Sequence, residues 1–218
     1  MPTKPVKNSK IMNNNQNGIL PDKIDRFEVR IAGAGGQGII SMGMLLAKAI
    51  SLGDKKNASQ SQTYGPEARG GATLADVSNW ACQLSDINWI TPDILIALTP
   101  GAYEYYAASV KPNGIIIADS NAVETVVGSV TTQRQSLLVS CLEKFLNPIV
   151  ANMVTLGFLT EFTGIVSKKS IKSAVEDRFE KSKFLETNLK ALKAGFELGK
   201  KFKSEDLTQI EPGICLNL

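Results

Sequence analysis

Two stretches of this 218-residue chain combine residue types and spacing that can do chemistry. The first is Gly33-Ala34-Gly35-Gly36-Gln37-Gly38, in which Gly33, Gly35 and Gly38 satisfy the pattern G-x-G-x-x-G. Missing side chains let backbone N–H groups approach a phosphate at the positive end of a following helix. Glycines at this spacing also serve simply to pack a helix tightly against its strand, and the pattern alone does not separate the two uses. A dinucleotide site adds an acidic residue about 20 positions on, to hold the ribose hydroxyls. Here that region reads Asn57-Ala58-Ser59-Gln60-Ser61-Gln62, without a carboxylate, and Asp54 precedes the second strand instead of ending it. NAD and NADP therefore rank low as ligands.

The second stretch runs from Ser59 to Gly71 and joins amide and hydroxyl groups to a rigid turn at Gly65-Pro66, one carboxylate at Glu67, one guanidinium at Arg69 and the pair Gly70-Gly71. Such a loop can take unusual backbone angles while presenting Arg69 to an anion or a partner carboxylate. A solvent loop with a local contact between Glu67 and Arg69 fits the same residues, and both readings stay open at this point.

What is missing narrows the chemistry further. No histidine occurs, which removes the commonest general acid–base group near neutral pH and the commonest metal ligand. The cysteines Cys82, Cys141 and Cys215 are three in number and far apart, so they spell out neither a disulfide framework nor a zinc or iron–sulfur ligand set, and they fit a reducing cytoplasm. No residue is nominated as catalytic or as a metal ligand, and a self-sufficient hydrolase or metalloenzyme is disfavoured. The net charge of +3 is small, with no basic tract interleaved with aromatics, which argues against nucleic-acid and membrane partners. Lys168, Lys169, Lys172, Lys190, Lys193, Lys200 and Lys201 could form a landing site for an acidic protein, but a solvated helix face explains them more simply. Met1 to Lys10 lack the apolar run of a secretory signal, and the uncharged stretch Ile31 to Ala47 is short of the roughly 20 residues that span a bilayer.

The surrounding elements must position those two loops. Phe27 to Ala32 alternates apolar and charged residues into the glycines, as a first strand should, and Ile39 to Ile50 reads as a buried helix stopped by Gly53. A short strand starting near Ala58 gives way to a long ordered loop, followed by strands at Ala72–Val77, Asp93–Leu98 and Gly114–Asp119. Thr99-Pro100 supplies the cap and first-turn proline of a helix through Ala108, whose Tyr103, Tyr105 and Tyr106 either mark an interface or pack onto the sheet. Val150–Phe162, Lys169–Phe179 and Phe184–Phe202 are helical by spacing. The predicted fold class is α/β: a mostly parallel, Rossmann-like sheet flanked by helices in three layers, with a C-terminal helical cover. Residues 1–25 are expected to be a disordered extension, 26–204 the α/β domain and 205–218 a tail.

Taken together, Arg30-Ile-Ala-Gly-Ala-Gly-Gly-Gln-Gly-Ile39 and Gln62-Thr-Tyr-Gly-Pro-Glu-Ala-Arg-Gly-Gly-Ala72 resemble the gamma-type subunit of 2-oxoacid:ferredoxin oxidoreductases. The paired motifs are far more specific than either alone. The resemblance continues through Pro92–Leu98, Gly114–Asp119, Asn152–Gly157 and Thr163-Gly164, so it covers about Phe27 to Gly199. It implies an assembly that converts a 2-oxoacid and coenzyme A to acyl-CoA and carbon dioxide, passing electrons to ferredoxin. Thiamine diphosphate, Mg and iron–sulfur clusters are then expected in partner alpha and beta subunits, with a delta subunit as a further candidate partner. By position, Gly33, Gly35, Gly36, Gln37 and Gly38 would form a backbone cradle, with Gln62, Tyr64, Glu67, Arg69 and Gly70 on the loop facing the intersubunit site and coenzyme A. The form Tyr-Gly-Pro-Glu-Ala-Arg-Gly-Gly looks more like the 2-oxoglutarate and branched-chain members than the pyruvate members. A stand-alone nucleotide-binding module or NAD(P) protein is the alternative of a different class, told apart by tight nucleotide binding to a chain that purifies without large partners.

Overall fold

The computed structural model describes residues 27–64, 72–79, 91–112, 114–119, 135–139 and 150–204. The expected N-terminal extension and C-terminal tail lie outside the described residues. Strand β1 (Glu28–Ala34) runs into the glycine loop, and helix α1 (Ile39–Lys48) follows and widens into a π-helical turn, Ala49–Gly53. Strands β2 (Ser59–Tyr64) and β3 (Ala72–Ser78) come next, then β4 (Ile94–Ala97) and the short helix α2 (Pro100–Tyr106) with a 3₁₀ turn at Ala107–Ser109. Strands β5 (Ile115–Asp119) and β6 (Gln135–Val139) precede helices α3 (Ala151–Thr163), α4 (Lys168–Phe179) and α5 (Leu185–Ser204).

The described strands form one sheet in the order β2-β3-β1-β4-β5-β6. The pairs β1–β4, β4–β5 and β5–β6 are parallel, whereas β3 runs antiparallel to both β1 and β2. The expectation of a mostly parallel sheet is met by the β1-β4-β5-β6 side. On the other side, an antiparallel hairpin stands where a simple doubly wound sheet would place another parallel strand. Since β3 opposes both neighbours, β2 points the same way as β1, and the β1-α1-β2 unit is split by an inserted strand.

Strict alternation explains the three layers. Val29 and Ile31, Ile94 and Ile96, and Ile115 and Ile117 point to one face, where they join Met42, Leu46, Leu156, Phe158 and Phe202 of the helices in the larger core. Ala32, Leu95, Ala97, Ile116 and Ala118 point to the other, where Ala102, Tyr103 and Ala107 cover them. Continuous Ile/Leu runs are what a strand buried on both faces requires, which is why β4 and β5 were legible.

Two strands depart from the expectation. Every residue of β2 but its last is Ser, Gln or Thr, so nothing apolar announces a six-residue strand, and the element is instead held by its ladder to β3. β6 was not anticipated, and it is specified by its parallel register on β5 rather than by a strong pattern of its own.

At the α3–α5 crossing the backbones come into direct approach, because a Cβ on Gly157 would collide with Leu192 O and one on Gly195 with Val154 O. The same two helices bury Leu156, Phe158 and Phe202 in the larger core on the sheet face that carries α1.

Candidate functional site

The connection from β1 leaves by α1 on the larger-core face towards β2, while the connection from β4 leaves by α2 on the opposite face towards β5. The strand order therefore reverses direction between β1 and β4. In open α/β sheets the crevice outside the carboxyl ends of strands at such a point is where ligands bind. The glycine loop sits there.

The glycines of that loop do different things. A Cβ on Gly33 would collide with Gln37 Oε1 and lie 2.8 Å from Ile39 Cδ1 and 3.2 Å from Leu98 Cβ, so a side chain there would have to displace the Gln37 amide and the Ile39 tip. Gly38 is required twice, by φ of 76° and by the Asn152 side chain pressed against it. Gly36 has φ of 95° with nothing within 4 Å, and Gly35 and Gly36 are exposed. Only the Gly35-Gly36 rim and the start of α1 therefore face outward. No side chain caps α1 and no acidic residue stands in its first turn, which leaves its first-turn N–H groups and the positive end of its dipole available to an anion.

Gln37 is built into the loop. Its Oε1 accepts the Ala34 N–H at 2.7 Å, its Nε2 donates to Leu98 O at 3.1 Å, and its own N–H donates to Ala34 O at 3.2 Å. One amide thus ties the carboxyl end of β1 to that of β4. Asn152, at the start of α3, was not singled out as a site residue, yet it borders the loop through Gly38. Its signal was an amide at a helix start inside a stretch already matched to the family.

The register brings the second stretch to the same edge. Thr73 of β3 pairs with Gly33 on one side and with Tyr64 on the other, and Ala72 pairs with Ala34. Tyr64 therefore lies two strands from the glycine loop, roughly 10 Å at ordinary strand spacing. Both described ends of the 65–71 segment stand beside the loop, while Glu67, Arg69 and Gly70 themselves lie outside the described residues. Gln62 sits one pleat back on the α1 face, exposed, with its Oε1 3.5 Å from Gln60 Nε2.

Asp54, the only carboxylate near the position where a ribose would be read, is engaged elsewhere. It accepts the Ser167 N–H at 2.8 Å, the Ser167 hydroxyl at 2.7 Å and the Ser170 hydroxyl at 2.6 Å at the start of α4. Burial pushes its pKa up, but the hydrogen bonds from Ser170 and Ser167 and the charge of Lys56 outweigh it and hold the carboxyl below its usual value.

On the α2 face, Arg30 and Asp76 are opposed in register and form a bidentate pair at 2.8 and 3.0 Å, with Arg30 4% and Asp76 3% exposed. The guanidinium lies 4.9 Å from the Tyr106 ring centroid, so this arginine of the first motif fastens β1 to β3 and α2. Tyr103 is buried in the sheet, while Tyr105 is 78% exposed and meets Tyr106 edge-on at 4.8 Å. The tyrosine run thus divides into packing and surface roles. Among the described residues, no group of three or more His, Cys, Asp or Glu could hold a metal ion, and no helix is long and apolar enough to cross a membrane.

A family model described as pyruvate ferredoxin/flavodoxin oxidoreductase matches residues 28–198. The chain is 40% identical to the 2-oxoglutarate synthase subunit KorC of Methanocaldococcus jannaschii over 178 residues, covering 80% of this chain and 95% of that one. Its fold resembles the gamma subunit of a keto/oxoacid ferredoxin oxidoreductase from Geobacter sulfurreducens, with a TM-score of 0.67, 38% identity and coverage of 80% and 99% of the two chains. It also resembles a 2-oxoglutarate:ferredoxin oxidoreductase from Magnetococcus marinus with 2-oxoglutarate, coenzyme A and succinyl-CoA bound, with a TM-score of 0.72 and 25% identity over 82% of this chain and 32% of that longer one.

Proposed function

The chain belongs to the pyruvate ferredoxin/flavodoxin oxidoreductase family, and from that premise we propose that it is the gamma-type subunit of a multisubunit 2-oxoglutarate:ferredoxin oxidoreductase. The reaction of the whole assembly is 2-oxoglutarate with coenzyme A and oxidised ferredoxin to succinyl-CoA, carbon dioxide and reduced ferredoxin. The bond between the oxo carbon and its carboxylate breaks, a thioester bond forms, and the electron pair released passes to ferredoxin. The observation that carries the reading is the match to a 2-oxoglutarate synthase subunit across 95% of that subunit's length.

The family implies the division of labour, and the residues agree with it. With three cysteines this chain is one short of the four thiolates that a self-contained iron–sulfur cluster takes, and with no histidine it has no ordinary acid–base group near neutral pH. Thiamine diphosphate, Mg and the clusters are assigned to alpha and beta partners, with delta as a further candidate. The contribution of this chain is coenzyme A handling and subunit packing. The Gly35-Gly36 rim and the first turn of α1 would offer N–H groups to an anionic part of coenzyme A, and Tyr64, Glu67, Arg69 and Gly70 would form the loop facing the intersubunit site.

The test is to purify the tagged chain from its own cells, identify what co-purifies and assay coenzyme-A-dependent 2-oxoglutarate oxidation with a viologen dye. Co-purifying thiamine- and cluster-bearing chains with that activity are expected. Activity on a branched-chain 2-oxoacid or pyruvate instead would replace the substrate, and a lone chain that binds NADH or another nucleotide tightly would replace the reading. In the assembled complex, Arg69→Ala should lose acyl-CoA formation while keeping its subunits; unchanged kinetics for coenzyme A would remove Arg69 from the site.

A further inference from the structure

Two helix starts meet at one glycine. Gly38 is the N-cap of α1, without a side-chain cap bond and without an acidic residue in the first turn. The helix's first bond, Met42 N–H to Gly38 O at 3.0 Å, leaves the N–H groups of Ile39, Ile40 and Ser41 outside the helical ladder. Helix α3 begins at Ala151 on the N-cap Val150, again with no side-chain cap bond on that residue and no acidic residue in the first turn. Between the two stands Asn152, whose Nδ2 would collide with a Cβ on Gly38. Two positive helix ends brought together gain from an anion placed between them, and the side chain found there is a neutral amide.

Chemistry fixes which way that amide is turned. A backbone N–H can be accepted only by Oδ1, and Asn152 Oδ1 accepts the Met153 N–H at 2.8 Å. Nδ2 is therefore the atom that faces Gly38, and among the described residues nothing accepts a hydrogen bond from it. Asn152 is half-buried, and the Gly35-Gly36 rim just before Gly38 is exposed. We propose that Asn152 is a further binding residue of the glycine-loop site: its Nδ2 donates to an oxygen of the phosphate group taken by the first turn of α1, so that the anion is held between α1 and α3. The inference deepens the coenzyme A role given above and rests on it. The ligand class is a phosphate ester or diphosphate, and coenzyme A carries both.

A merely structural Asn152 has a different signature. As a brace between α1 and α3, Asn152→Asp is silent or stabilising, because a carboxylate has the same shape, still accepts the Met153 N–H and complements two positive helix ends. As a phosphate ligand, the same change removes the donor and sets a negative charge against the anion. Stability and affinity therefore move in opposite directions in one variant.

The purified complex, native or carrying Asn152→Asp, Asn152→Ala or Asn152→Ser, is assayed at varied coenzyme A and at varied 2-oxoacid, with thermal melting of each. KM for coenzyme A should rise at least about tenfold in Asn152→Ala and further in Asn152→Asp, while KM for the 2-oxoacid stays at its native value. Asn152→Asp should melt no lower than the native complex, and Asn152→Ser, which keeps a shorter donor, should fall between native and Asn152→Ala. Dephospho-coenzyme A, which lacks the 3′-phosphate, separates the two sources of the oxygen. A KM ratio of Asn152→Ala to native that collapses to one assigns it to the 3′-phosphate, and a ratio that persists assigns it to the diphosphate. An unchanged KM for coenzyme A in a folded Asn152→Asp complex overturns the proposal, as does an equal rise of both KM values. A native complex without coenzyme-A-dependent turnover overturns the subunit reading and this inference with it, whereas normal turnover with unchanged KM in the variants overturns the inference alone.

Discussion

The β1–β4 pair is stapled at both ends, and the two staples are made of different chemistry. At the carboxyl end the neutral amide of Gln37 spans Ala34 and Leu98. At the amino end Asp93 accepts the Glu28 N–H at 2.8 Å and Lys111 at 2.8 Å, and Lys111 also meets Glu28 at 3.2 Å. The amino end is a charged cluster with no glycine at φ above zero, whereas the carboxyl end joins the neutral amide to Gly36 and Gly38 at positive φ. Ions at the carboxyl end would carry their own field into the crevice, whereas a neutral amide ties the strands together without one. Same strands, same job of holding them together, opposite chemistry: the difference marks which end is left for recognition.

Substitutions that strike one end and spare the other can break this contrast. The largest effect is expected from Gly33→Ala, whose methyl displaces the Gln37 amide and crowds Ile39 and Leu98. It should cost about 3 kcal/mol in urea unfolding of the full chain. Asp93→Ala removes the acceptor shared by the Glu28 N–H and Lys111 and should cost about 2 kcal/mol, without changing what the carboxyl edge binds. Gly36→Ala meets no neighbour but forces a side chain to φ of 95°, so a loss of about 1 kcal/mol would isolate backbone strain from displacement of the amide.

The smallest effect belongs to Lys111→Met, under about 1 kcal/mol and shrinking with added salt, because the lysine is a third exposed. Burial alone would lower the Lys111 pKa, but the hydrogen bond and charge of Asp93 and the charge of Glu28 raise it above its ordinary 10.5. Its stabilisation is therefore fully present below pH 10.5 and is lost as pH rises through the higher folded value. The difference between native chain and Lys111→Met, followed by unfolding across that range, should close; a constant difference would mean that the lysine acts by packing alone.

The legibility of the molecule follows the same physics. β4 and β5 could be read because strands buried on both faces demand apolar runs, β1 because apolar and charged residues alternate along it, and α2 because Thr99 and Pro100 are a local cap, observed with Thr99 Oγ1 accepting the Ala102 N–H at 3.2 Å. β2 could not be read as a full strand, since an edge strand of Ser, Gln and Thr owes its existence to β3. The glycine loop was legible as a motif, but which glycines pack and which face outward was not, because the deciding neighbours, Leu98 and Asn152, lie far along the chain. The π-helical end of α1 was likewise invisible, lying where Gly53 meets Ser170 and Asp54 accepts the Ser170 hydroxyl at the start of α4.

By itself, then, the sequence determined the α/β class, the order of most elements and the family, because hydropathy period, capping residues and two loop motifs are local properties of the chain. Only the tertiary structure decided that β3 inserts antiparallel between β1 and β2, that Thr73 brings Gly33 and Tyr64 to one edge, and that Gln37 bridges Ala34 and Leu98. Those outcomes are set by strand register and by contacts between residues distant in the chain, and neither is written in local periodicity.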